Sequence, residues 1–207
     1  MHNESVTKGG QDGRHLRSER SRGAIAKALL ELVRETKSMP TTDAVADRAG
    51  VSRRSVFRHY ADVSELLRAA YELQREDALS LYPPSNPEGW SHDERISNFV
   101  SRGCDLYEYV SSVRQAAVYM VRDYPIINDL MIEDDRLHRS VITKLFAPMI
   151  EACPQAERSD LVEALVFASN WSSWNTLRVQ QGLEHEQARG VMKMTLRALL
   201  NQTKAAA

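Results

Sequence analysis

The chain has few of the residues that build metal or catalytic centres. Its two cysteines, Cys104 and Cys153, follow no metal or redox spacing and read as buried or half-buried free thiols. The six histidines are scattered, with no ligand pair at helical spacing, so no zinc site is expected. Glu133, Asp134 and His138 come nearest to a metal spacing, but they stand on one helix without partners. Nucleophile–base pairs, phosphate-binding glycine loops and paired-carboxylate motifs are lacking. The expectation is therefore a protein that is not an enzyme and uses no cofactor and no metal. No window holds the ~18 consecutive apolar residues of a membrane span. The opening MHNESVTKGGQDGRH has no apolar signal-peptide core. It reads as a disordered arm over residues 1–16, and the cytoplasm is the expected location.

Charge of one sign is also lacking, since the net charge is only −1. That total conceals an asymmetry. Residues 1–75 carry 14 Lys+Arg against 10 Asp+Glu, whereas residues 76–207 carry 13 against 18. A basic front on an acidic body fits a nucleic-acid-reading head, although the excess is modest.

Hydrophobic content of 43% suffices for a real core. The most informative stretch is TTDAVADRAGVSRRSVFRHY, Thr41 to Tyr60. Thr41 or Thr42 can N-cap a first short helix. Asp43 places negative charge where the helix dipole favours it. Val45, Ala46 and Ala49 suit close packing, and Gly50 can end the helix in the left-handed region. Ser52 then caps a second helix after about three residues, the spacing of a helix-turn-helix.

That second helix has two faces. At roughly 100° per residue, Val56 and Tyr60 fall together and can pack inward. Arg54, Ser55 and Arg58 fall opposite, Phe57 and His59 lie on the flanks, and Arg53 projects from the first turn. A DNA-reading helix needs one anchored side and one side of bidentate donors and short hydroxyls. Arg53, Arg54 and Ser55 are the candidates for base edges. Thr42, Arg58, His59 and Tyr60 are the candidates for phosphate, and Ser52 and Phe57 complete the set. The plainer alternative is an ordinary solvated face.

The run TTDAVADRAGVSRRSVFRHYADVSELL resembles the DNA-binding signature of the tetracycline-repressor (TetR) family. The match extends from about Arg20 to Leu67. It departs at Phe57, where many members have tyrosine, and at Val63, where many have lysine. The resemblance implies an all-α homodimer that binds a palindromic operator on double-stranded DNA and releases it when a small molecule enters the C-terminal domain.

Arg17 to Thr36 reads as the first helix, with Ile25, Ala28, Leu29, Leu32 and Val33 in one stripe. Arg17, Arg20 and Arg22 at its start either meet DNA or are simply solvated. A fourth helix starts near Asp62 or Val63 and runs to about Leu81, where Pro83, Pro84, Pro87 and Gly89 break the chain. The expected domains are a three-helix DNA-binding unit with its linking helix over 17–82 and a larger helical bundle for ligand binding and dimerisation over 83–207. About nine helices are expected in all.

Ser91 and Glu94 form a capping box for the next helix, whose face is Ile96, Phe99, Val100, Gly103 and Tyr107. A separate helix is expected from about Ser112 to Asp123. Another covers about 128–153, with Leu130, Leu137, Val141, Leu145 and Met149 in near-heptad spacing and a kink at Pro148. The last two span 156–181 and 184–202, the second lined by Val191, Met194, Ala198 and Leu199. They could pack on a twin pair as a four-helix bundle, or merely close the monomer's core. A small hydrophobic or aromatic effector would meet Phe99, Arg102, Tyr107, Tyr119, Met120, Met149, Trp171 and Trp174, which could equally be core. Arg102 could instead pair with Asp105. The rival to a ligand-released repressor is an interaction protein or enzyme on a helical bundle that keeps the helix-turn-helix without ligand gating.

Overall fold

A computed structural model describes residues 8–83 and 86–202. Ten α-helices, a single 3-10 turn and a π-helical turn account for its elements, and no strand occurs among the described residues. The all-α expectation holds.

Helix α1 spans Lys8–Thr36, α2 Thr42–Ala49, α3 Arg53–His59 and α4 Val63–Leu81. Helix α1 starts nine residues before Arg17, so residues 8–16 are helical rather than part of a disordered arm. Once a helix is nucleated, each added residue gains a hydrogen bond, and no proline stops it here. Residues 1–7 of that arm lie outside the described residues. The stripe of α1 is buried at Ile25, Ala28, Leu29 and Val33, and α1 packs on both α2 and α3. Arg48 of α2 reinforces this with two parallel bonds to Glu35 of α1, each 2.8 Å.

Helix α5 spans His92–Met120 as one rod of 29 residues. The expected break before Ser112 is absent: no proline or glycine lies between Gly103 and Met120, and the Ser111 hydroxyl finds its acceptor inside the helix, at the Tyr107 carbonyl. Its start is the expected box: Ser91 N–H donates to Glu94, and Glu94 N–H donates to Ser91 Oγ.

The segment expected as one kinked helix is two, α6 at Ile126–Leu145 and α7 at Ala147–Glu151. Pro148 lies in the first turn of α7, where its missing N–H has no partner to lose. The expected heptad holds at Leu130 and Met149, which are buried, and fails in its middle. Leu137 and Val141 are exposed, while Ile127, Leu130, Ile142 and Phe146 are buried.

The next expected helix is divided into α8 at Arg158–Ser169, α9 at Trp171–Asn175 and a π-helical turn at Thr176–Gln180. Asn170 makes the break: its backbone is extended, and its side chain caps α9 by accepting from Ser173 N–H at 2.9 Å. Helix α10 spans His185–Gln202.

Two compact units result. One comprises the chain up to Asp77 with Ser112–Leu130, the other Ala78–Ser111 with Met131 onward. The second has its own core of Ile96, Val100, Ile142, Phe146, Leu165, Trp174, Met192 and Leu196, among others. No described helix is long and apolar enough to cross a membrane.

Candidate nucleic-acid interface

The interface is built from local capping chemistry. Thr41 caps α2, its hydroxyl accepting from Ala44 N–H at 3.2 Å. Thr42, half-buried, is then the first residue of the helix. Helix α2 ends at Gly50 with φ 67° and ψ 32°. Val51 N–H bonds back to the Ala46 carbonyl and Gly50 N–H to that of Asp47, a Schellman motif that satisfies two orphan acceptors. Ser52 caps α3, accepting from Ser55 N–H at 3.2 Å, and the two hydroxyls share a 3.0 Å bond. The turn is therefore held at both ends by bonds within a few residues.

Helix α3 presents the two faces expected. Val56 and Tyr60 are 3% and 2% exposed. Arg53, Arg54, Phe57 and Arg58 are exposed, and Ser55 and His59 are half-buried. The Arg53 guanidinium donates to Asp43 of α2 at 3.2 Å and lies 5.7 Å from the Phe57 ring centroid. Arg54 points no hydrogen bond or ion pair at any described residue. Asp43 was legible only as a dipole partner; its pairing with Arg53, ten residues on, depends on the turn between them.

Two of the sequence readings change. Tyr60 does not face outward to phosphate: it is buried, and its hydroxyl donates to the Arg22 carbonyl at 2.8 Å. An aromatic that ends a seven-residue helix is worth more to the core than to the surface, and its hydroxyl takes an internal acceptor. Arg22, half-buried, is engaged within its own unit. It donates to the His59 carbonyl and, at 2.8 Å, to Glu65 Oε1. Glu65 also accepts from Ala61 N–H at 2.7 Å. That backbone bond, followed by the Arg22 bond, holds the Glu65 carboxyl below the usual carboxylate range. Arg22 thus clasps the C-terminal end of α3.

The residues proposed for an effector are divided between the two compact units. Tyr119 is 80% exposed, and Tyr119 and Met120 belong to the compact unit that holds the helix-turn-helix. The other six belong to the second unit. There Met149 and Trp174 are core, with Phe99 and Tyr107 packed against them. Phe99 meets Phe146 edge to face at 5.3 Å. Tyr107 donates to the Ser169 carbonyl at 2.7 Å, and Trp171 donates to Ser111 Oγ at 3.0 Å. Arg102 donates through two nitrogens to the Tyr82 carbonyl, just past the end of α4, and burial lowers its pKa. Asp105 pairs with His185 at 3.3 Å. Aromatic and Met spacing on a helix marks core as readily as pocket, and Met149 and Trp174 belong to the core.

An open concavity of about 520 Å³ does lie in the second unit, lined by none of those eight. Its walls include Phe167, Ser173, Thr176, Leu177, Val191 and Leu199 from α8, α9, the π-helical turn and α10. Phe167 of that wall is 75% exposed, and Met194 of α10 is 65% exposed. Phe167 drew no notice in the sequence because it falls off the buried Leu161–Leu165 register of α8.

The chain is thus an all-helical protein whose front carries a helix-turn-helix. Its fold is shared with the crystal structure of a transcriptional regulator from Rhodococcus sp. Rha1, which matches with a TM-score of 0.68 over 87% of this chain and 96% of that one. The two sequences are 13% identical, so the likeness is one of fold. Comparison with family models and with curated proteins by sequence finds no match.

Proposed function

We propose that the protein is a sequence-specific DNA-binding transcriptional regulator, a repressor that works in the cytoplasm as a homodimer on a palindromic operator. One observation carries this reading: α3 is anchored by Val56 and Tyr60 while Arg53, Arg54 and Arg58 stand outward from it. Residues 17–82 serve as the DNA-reading part and residues 83–207 as the dimerisation and effector part. The regulator with the same fold supports the assignment. Two copies of α3 then enter successive major grooves about 34–36 Å apart. Arg53, Arg54 and Ser55 meet base edges. Thr42, Ser52, Arg58 and His59 meet phosphate, which sets register without reading sequence.

Exposed Phe167 and Met194 on α8 and α10 support a second copy as the other half of a four-helix interface. Release by a small hydrophobic or aromatic effector belongs to the same reading. An effector acts only by binding the two states of the protein unequally. Thermal shift paired with DNA release tests that part.

The main test is selection of bound fragments from a random duplex pool with the purified protein. The expected result is an inverted repeat whose affinity falls steeply with salt, by about 0.9 log units per phosphate contact for each log unit of salt. Alanine at Arg53 or Arg54 then costs roughly 1–3 kcal/mol of discrimination. A monomer that retains no duplex in dilute buffer overturns the reading.

A further inference from the structure

Phe57 is the large apolar side chain that α3 leaves outside. It is 52% exposed, next to a Val56 that is 3% exposed. Lacking a hydroxyl, it can make no hydrogen bond to phosphate, so its contribution to a contact is apolar area. Arg53 stands one turn before it on the same face, with its guanidinium 5.7 Å from the ring centroid. The same guanidinium is held by Asp43 Oδ2 at 3.2 Å from Nη1. The Arg53 and Asp43 side chains are 61% and 63% exposed, and pairs this exposed add little to stability. The consequence of the pair is positional. One edge of the guanidinium is occupied, and its fixed fork leaves another edge to offer.

Resting on the DNA-binding reading, we propose that Asp43, Arg53 and Phe57 act as one unit that reads a guanine and a thymine in adjacent base pairs. Arg53 donates to guanine O6 and N7, and Phe57 covers the thymine methyl. Asp43 is a positioning residue that keeps the Arg53 head group at the angle the guanine needs. The major groove offers a methyl group only at thymine, and bidentate arginine selects guanine. Neighbouring base pairs rise by ~3.4 Å, within the span of two side chains one turn apart on a helix.

The test uses the full-length protein and the site recovered by duplex selection. In one duplex the thymine is replaced by uracil, which lacks only the methyl. The wild type is expected to bind the uracil duplex about fourfold more weakly, the loss of one buried methyl. Phe57→Ala is expected to bind the two duplexes equally. Arg53→Ala loses a roughly tenfold or greater preference for the guanine, as for a lost bidentate contact. Asp43→Asn weakens that preference while the protein still melts in one cooperative transition. All three side chains are exposed, and melting confirms that each variant is folded. A site without neighbouring guanine and thymine, or a Phe57→Ala protein that still separates thymine from uracil, overturns this unit alone. A pool that yields no duplex overturns the DNA-binding reading as well.

Discussion

Tyr60 and Arg22 hold each other twice. The Tyr60 hydroxyl donates to the Arg22 carbonyl at 2.8 Å, and the Arg22 guanidinium lies 4.4 Å from the centroid of the Tyr60 ring. The same guanidinium reaches the His59 carbonyl and Glu65. Helix α3 has seven residues and cannot hold its orientation by its own ladder. The clasp ties its end to α1 and to the first turn of α4, and so sets where its arginines point.

Tyr60→Phe removes the hydroxyl and keeps the ring. It is expected to cost about 1 kcal/mol in urea unfolding, the net value of one hydrogen bond. Tyr60→Ala is expected to cost about 3–5 kcal/mol, as for other buried aromatics. Operator affinity of Tyr60→Phe should equal that of the wild type while both are folded. Weaker DNA binding by a variant of undiminished stability would return Tyr60 to the phosphate contacts.

Glu65 gives a pH dependence with a definite sign. Its folded pKa lies below the ordinary carboxyl value of 4.5, first through the Ala61 N–H and then through Arg22. A lowered carboxyl pKa stabilises the fold above the unfolded value, and that stabilisation is lost as pH falls through the folded one. Wild type and Glu65→Gln should therefore differ most at neutral pH and converge below about pH 4.5. Unfolding curves measured from pH 7 downward check this; a gap that widens on acidification contradicts it.

Gly50 sits at φ 67°, with no atom within 4 Å of the position a Cβ would take. The cost of a side chain is therefore conformational rather than a clash. Gly50→Ala should lose about 1–2 kcal/mol, the left-handed penalty for an L-residue. Gly50→Asn should lose less, because asparagine tolerates that region. Denaturant midpoints for the two variants, compared at equal slope, give the ranking.

Phe167 and Met194 test the dimer. Glutamate at either position puts a charge on a face proposed to be buried between copies, and an unpaired buried charge is strongly unfavourable. Sedimentation should show half the wild-type mass for Phe167→Glu and Met194→Glu, with helix content retained. A wild type that already sediments as a monomer, or variants that still dimerise, would remove this face from the proposal.

The elements around the candidate interface were readable because their signals are short in range. Thr41, Gly50 and Ser52 act on partners three or four residues away, so their roles follow from spacing. Farther along the chain the same kind of reading lost its register. Leu137 and Val141 fitted a heptad but are exposed, whereas Ile142 of the same helix is buried. On α10 the expected line of Val191, Met194, Ala198 and Leu199 is not the buried one, which runs through Ala188, Met192, Leu196 and Leu200. Two apolar stripes on one helix cannot be ranked without knowing what packs against each.

By itself the amino-acid sequence determined the helical class, the helix–turn–helix at Thr41–Tyr60 and the outward set of arginines on α3, since caps, glycine geometry and periodicity are local. Tertiary structure decided that Arg22 and Tyr60 fasten α3, that Asp43 holds Arg53, and that Arg102 and the tryptophans are tied into packing. Those outcomes join residues 10 to 60 positions apart, such as Asp43 with Arg53 and Ser111 with Trp171. A side chain's partner at such a distance is set by how the helices pack, which no window along the chain contains.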